Sequence, residues 1–307
     1  MKNQQVTMTM ILLASLTLFG CRAATPGVPM PTAKETTEPI AGSDPASSDR
    51  TSALQESRTD ILGFHEVSPA YRSLIDAGVR VVNVRELGSF FAVWIPYNYA
   101  SQDEHRVMLL VHGSDDDAYS TIAGRIKRAL HHGYALVAVQ WCLREGERYL
   151  EPGVVYLLAS TAMDYVGQTY GADIHSAAYE GFGRGSSIAY QIAYSDRVLG
   201  SNYFRLFICH SGGMHKPGPP FIENLQAGAF GNDAFEGQHF YMYCGIKDEE
   251  WGTAMCEYMD NAEQTVTKYG GIVERFIKDP DGSHSGFLKN DAYYEDAIAT
   301  WFDLASR

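Results

Sequence analysis

From Ile61 onward the chain alternates short apolar runs with stretches of helical period. Val79 to Glu86 (VRVVNVRE) alternates apolar and polar residues, Gly88 marks a turn, and Phe90 to Pro96 (FFAVWIP) is apolar. Together these predict an antiparallel hairpin. The pattern then changes, because Val107 to Val111 (VMLLV) is a nearly continuous apolar run, as a strand buried on both faces requires. A helix is predicted from Tyr119 to His132, closed by Gly133. Strand Ala135 to Gln140, helix Val154 to Tyr170, strand Ala177 to Glu180, helix Gly185 to Tyr194 and strands Phe204 to Cys209 and His239 to Cys244 follow. Helix Ala254 to Tyr269, strand Val273 to Lys278 and helix Tyr293 to Ala305 complete the series. Such alternation implies an α/β fold with a central, mostly parallel twisted sheet and helices on both faces. The Gly- and Pro-containing stretch from Gly212 to Gln238 is expected to be a long loop or lid.

The first sixty residues read differently. Lys2 precedes an apolar run, Met8 to Phe19, of signal-peptide length and too short for a permanent bilayer span. Leu18-Phe19-Gly20-Cys21 resembles the lipobox of bacterial lipoproteins, so residues 1–20 are expected to be an export signal and Cys21 the lipidated N-terminus of the mature chain. Arg22 follows it, and outer-membrane anchoring is the expected address in a Gram-negative cell. Residues 21–60 are rich in Pro, Thr, Ala and Ser, with five of the twelve prolines and no aromatic residue, and are expected to be a disordered tether. The folded domain is then residues 61–307.

Composition narrows the function. With 45% apolar and 12% aromatic residues the chain can bury a large core. Lys and Arg number 24 against 37 Asp and Glu, a net charge of −13, so nucleic acid is an unfavourable partner. Apart from Cys21 there are four cysteines, Cys142, Cys209, Cys244 and Cys256, an even number that permits disulfides in an exported protein. Cys244 and Cys256 flank Asp248, and their pairing is expected to pin that loop.

Candidate chemistry gathers at strand ends. His112-Gly113 closes one strand, Gly181-Phe182-Gly183-Arg184-Gly185 joins a strand to a helix, Asp248 follows a late strand and His284 follows the last one. Over residues 62–307 this order resembles the α/β-hydrolase superfamily, and within it secreted bacterial esterases and polyhydroxybutyrate-depolymerase-like proteins. The resemblance implies a G-x-S-x-G elbow, in which small residues let the chain turn sharply beneath a nucleophilic serine. Gly181 and Gly185 match its flanking glycines, but Gly183 stands at the nucleophile position and has no side chain with which to attack. Asp248 matches the family's acid and His284 its general base. Backbone N–H groups of Arg184 and Ser114 match its oxyanion donors, and being backbone they survive the loss of a side chain.

Other groups near these motifs have plainer readings. Ser186 and Ser187 lie one helical turn beyond the elbow, out of reach of His284, and Cys209 at a strand end is a candidate replacement nucleophile only if it is not core. Asp115, Asp116 and Asp117 read as a solvated loop rather than a calcium site, and His210 and His215 lack a third zinc ligand. Tyr119, Trp141, Phe182 and Trp251 are either pocket lining or core. No metal or cofactor is expected. Two functions remain open: a degenerate hydrolase that binds a small acyl or carboxylate ligand or a protein partner, and an active carboxylic-ester hydrolase that uses Asp248 and His284 with an unusual nucleophile or an activated water. In both, the lipid anchor makes a membrane the chain's other partner.

Overall fold

Nine strands make one sheet in a computed structural model that describes residue 54 and residues 56–114, 116–143, 148–215, 218–252 and 254–307. The expected signal peptide, Cys21 and most of the expected tether lie outside the described residues. The strands are β1 (Glu56–Ser57), β2 (Arg80–Val84), β3 (Ser89–Trp94), β4 (Val107–Val111), β5 (Ala135–Val139), β6 (Ala177–Phe182), β7 (Phe204–His210), β8 (His239–Gly245) and β9 (Ile272–Asp279). Their spatial order is β1-β2-β3-β5-β4-β6-β7-β8-β9. Pairing is antiparallel from β1 through β3 and between β3 and β5, and parallel across the rest. The hairpin expected at residues 79–96 is β2 paired with β3, in register from Arg80 opposite Val93 to Val84 opposite Ser89.

Every residue of β4 and β5 is buried, which accounts for their lack of alternation. One face of the sheet packs alternate residues, among them Met108, Leu110, Leu136 and Ala138, against three helices: α1 (Tyr71–Asp76), α2 (Ala118–Ala123) and α3 (Ile126–His132). The C-terminal helices α8 (Gly286–Lys289) and α9 (Asp291–Ala305) complete that layer through Phe287, Tyr294, Ile298 and Trp301. The opposite face carries α4 (Pro152–Tyr170), α5 (Arg184–Val198) and α7 (Ala254–Lys268), which touch β5, β6 and β8 respectively.

Three features differ from the sequence reading. The helix expected from Tyr119 to His132 is two helices, α2 and α3, parted at Gly124-Arg125. Asp117 caps α2 by accepting from the Ser120 N–H at 2.8 Å, and the break turns Arg125 inward to the buried Glu180. Glu56 and Ser57, within the stretch expected to be tether, pair with β2, and Asp60 is buried with the backbone N–H groups of Phe64 and His65 donating to it. Among the described residues of segment 212–238 there is a helix α6 (Pro220–Gln226), and Ile222, Leu225, Ala234 and Phe235 are buried.

Candidate active site

Ligands in open α/β sheets bind beyond the carboxyl ends of the strands, and the groups matched to the hydrolase pattern follow such ends. Ser114 follows β4, Gly183 follows β6, Asp248 follows β8 and His284 follows β9. The β6-to-α5 junction is a sharp elbow. Gly183 is the N-cap of α5 with φ 52° and ψ −116°, a region that side-chain-bearing residues avoid. Its N–H donates to the His210 carbonyl at 3.0 Å, and its own carbonyl accepts from Ser187 N–H at 3.0 Å, so the turn is held on both sides. The flanking glycines are sterically required, since a Cβ on Gly185 would meet the Val111 carbonyl oxygen at 2.1 Å.

A Cβ built on Gly183 would stand 3.3 Å from His284 Nε2 and 3.9 Å from Gly113 Cα. The position that would carry the nucleophile therefore faces the imidazole. Behind it, His284 Nδ1 lies 2.6 Å from Asp248 Oδ2, and that bond fixes the ring so that Nε2 points at the elbow. Asp248 is itself held: its Oδ1 accepts from the N–H groups of Glu250 at 2.9 Å and Trp251 at 2.8 Å. The expected Cys244–Cys256 disulfide is present and closes a loop of sequence separation 12 around Asp248. Cys142 and Cys209 are free thiols.

The two expected oxyanion donors are the residues that follow Gly183 and Gly113 in the chain. Arg184 opens α5, where first-turn N–H groups have no intrahelical acceptor. Ser114 follows Gly113, which is in van der Waals contact with the vacant position. The Arg184 guanidinium lies 4.2 Å from the centre of the Tyr149 ring, a cation–π contact.

None of the replacement nucleophiles is engaged with His284. Ser186 is fully buried and donates to the Gly212 carbonyl, and Ser187 leans back to the Gly183 carbonyl at 3.4 Å. Cys209 is core, and burial pushes its thiol far up from the ordinary value. Among the aromatic candidates, Tyr119 and Trp141 are buried, Trp141 donating from Nε1 to the His112 carbonyl at 3.0 Å. Phe182 packs its ring 5.0 Å from that of His284, and Trp251 is half exposed. His210 turns to Glu180 and His215 packs on Tyr258 at 4.2 Å, so the two histidines do not converge.

Four groups of consequence were not selected from the sequence. Glu180 is buried behind the elbow, its Oε1 taking Arg125 Nε at 3.0 Å, Arg125 Nη2 at 2.7 Å and His210 Nε2 at 3.2 Å, and its Oε2 the Tyr294 hydroxyl at 2.6 Å. Burial alone would raise its carboxyl; the Arg125 charge and the His210 bond reverse this and hold it well below the ordinary carboxylate range. Ser211, after β7, has φ 56°, a strained value for a non-glycine residue, and its hydroxyl donates to the His284 carbonyl. Glu249 Oε2 accepts the His284 N–H at 3.0 Å, and Glu250 Oε2 stands 3.6 Å from His284 Nε2. The run Asp248-Glu249-Glu250 was the available signal, three consecutive carboxylates beside the acid position.

No protein-family model matches this sequence, and no curated protein matches it. Solved structures do match the fold. Fungal esterases from Rhizomucor miehei superpose with a TM-score of 0.56 at 11% identity, over 71% of this chain and 79% of that one. A ferulic acid esterase gives 0.55 at 13% identity over 74% and 97%, and an S-formylglutathione hydrolase from Agrobacterium tumefaciens gives 0.55 at 16% over 75% and 94%. At these identities the likeness is one of fold, and together with the sheet order and the elbow it gives the conclusion that this chain has the α/β-hydrolase fold.

Proposed function

We propose that this protein is a catalytically degenerate α/β hydrolase, derived from a serine carboxylesterase, that binds an acyl or carboxylate ligand without covalent chemistry. The observation that carries the reading is the glycine at the elbow: its Cβ position would lie 3.3 Å from His284 Nε2, so an oriented Asp248–His284 pair serves a position with no side chain. What remains there binds rather than attacks. Arg184 and Ser114 supply backbone donors for an anionic oxygen, and His284 supplies a ring nitrogen on the opposite side. The sequence further supports export and lipid anchoring at Cys21, with the tether holding the domain off the membrane surface.

The intact 2.6 Å contact between Asp248 and His284 favours a second reading, an active ester hydrolase in which His284 activates a water lodged over Gly183. Without a nucleophile such catalysis reaches roughly 10^3- to 10^4-fold over water, far below a working triad.

The test separates the two. Isothermal titration of the purified protein with short carboxylates should show saturable binding that His284→Ala removes. Ester turnover should stay at background, and a fluorophosphonate probe should leave the protein unlabelled. Multiple turnovers of a p-nitrophenyl ester that are lost in His284→Ala would replace the first reading with the second. For the anchor, Cys21→Ala should move the protein from the membrane to the soluble fraction.

A further inference from the structure

The loop after β8 places three consecutive carboxylates on one histidine. Asp248 holds His284 Nδ1 at 2.6 Å and Glu249 holds its backbone N–H at 3.0 Å, so these two position the ring. Glu250 does neither. Its Oε2 stands 3.6 Å from Nε2, the one ring nitrogen that faces the Gly183 vacancy, while its side chain is 58% exposed. At that separation the contact is longer than a direct hydrogen bond, and it is an ion pair only when the ring carries its second proton. A carboxylate of the chain itself thus covers the approach to the nitrogen that, in a complete triad, would take the serine proton.

This arrangement discriminates between ligand classes. A ligand that takes the place of Glu250 at a protonated Nε2 exchanges, if it is an ionised carboxylate, one charge-assisted acceptor for another. An ester carbonyl is neutral and gives up that charge without replacing it. Release of Glu250 is cheap because an exposed side chain returns to water and exposed ion pairs are weak. Next in the chain, Trp251 is half exposed, with its ring 6.0 Å from that of His215, which in turn lies 4.2 Å from Tyr258. These rings form a small aromatic cluster that begins at the residue following Glu250, and the Phe182 ring packs 5.0 Å from that of His284 itself.

We propose that the ligand is a monocarboxylate bearing an apolar group, the acid rather than the ester of hydrolase chemistry, and that Glu250 is an internal stand-in which the ligand's carboxylate displaces from His284 Nε2. The inference rests on the vacancy being a binding site, and it adds the ligand's charge and the group that gates it.

Butyrate is the probe, titrated calorimetrically into the purified wild type, Glu250→Gln, His284→Ala and Asp281→Asn. If Glu250 covers Nε2 in about nine molecules of ten, its removal raises the apparent affinity about 10-fold. Asp281→Asn removes the same charge from an exposed residue three positions before His284 and should change affinity less than about 2-fold, because exposed charges are screened. A Glu250→Gln protein that binds butyrate no more tightly than wild type, or a gain equalled by Asp281→Asn, overturns the stand-in while leaving the binding site in place. Butyrate binding to none of the variants overturns the binding reading itself. Methyl butyrate, the neutral ester, should bind the wild type at least about 10-fold more weakly than butyrate does; an ester that binds as tightly as the acid overturns the assignment of ligand charge.

Discussion

Restoring a side chain at Gly183 is the sharpest perturbation available. In Gly183→Ser the new Cβ lies 3.3 Å from His284 Nε2, and a hydroxyl one bond further on falls within the 2.6–3.2 Å or so that proton transfer needs, after a shift of a few tenths of an ångström by the ring. The serine would inherit φ 52° and ψ −116°, a conformation that costs about 1–3 kcal/mol in a residue with a side chain. At roughly 2–4 °C per kcal/mol for a domain of this size, the melting temperature should fall by about 2–12 °C with the fold intact. Against that cost the variant gains a nucleophile whose base and acid are already 2.6 Å apart and whose oxyanion donors are backbone groups. Hydrolysis of p-nitrophenyl butyrate should rise about 10^2- to 10^4-fold over the natural chain, the range a positioned general base supplies. A fluorophosphonate should label the serine, and His284→Ala in the same background should abolish both signals. A folded Gly183→Ser protein that neither labels nor hydrolyses any short ester would refute the vacancy: the elbow would then be a tight turn whose orientation toward His284 carries no chemistry.

Further expectations concern what holds the elbow. Arg125→Met leaves Glu180 buried without its cation and should cost about 3–5 kcal/mol in urea denaturation, whereas breaking the exposed pair of Lys247 with Asp281 should leave the denaturation midpoint nearly unmoved. Because Glu180 is held below its ordinary value of 4.5 when folded, the unfolded chain binds the extra proton; this contribution is fully present above about pH 5 and is lost as pH falls, and acid titration of Arg125→Met should lack it. Cys256→Ser opens the loop around Asp248 and should lower stability by about 3 kcal/mol, read as a drop in the denaturation midpoint. Gly185→Ala puts a methyl group 2.1 Å from the Val111 carbonyl and should abolish soluble expression, while Gly153→Ala, with open space around it, should be tolerated.

The strands and most helices were legible because their signals are local. Buried parallel strands need continuous apolar runs, and Val107–Val111 and Ala135–Val139 carry them; helices on a sheet need a capped apolar period, and Gly171 stops α4 in the left-handed conformation expected of such a residue. Gly181 and Gly185 were legible because a sharp strand-to-helix turn needs small residues at fixed spacing, whereas Gly183, Asp248 and His284 were singled out by the resemblance of their order to the α/β-hydrolase pattern. The Cys244–Cys256 pair was expected because the two flank the Asp248 loop, though four cysteines permit other pairings. Tertiary structure alone decided the rest, through contacts between residues far apart in the chain. Arg125 breaks the expected helix because its partner Glu180 is 55 positions away, and no local pattern around residue 125 records that pull. Ser211 anchors His284 across 73 positions, and its positive φ is visible only once β7 and the last loop are side by side. Glu249 and Glu250 read in isolation as solvated surface charge; the fold curls their loop around a histidine 35 and 34 residues later, and the direction of each carboxylate, set by the Asp248 turn, determines that one takes a backbone N–H and the other covers Nε2.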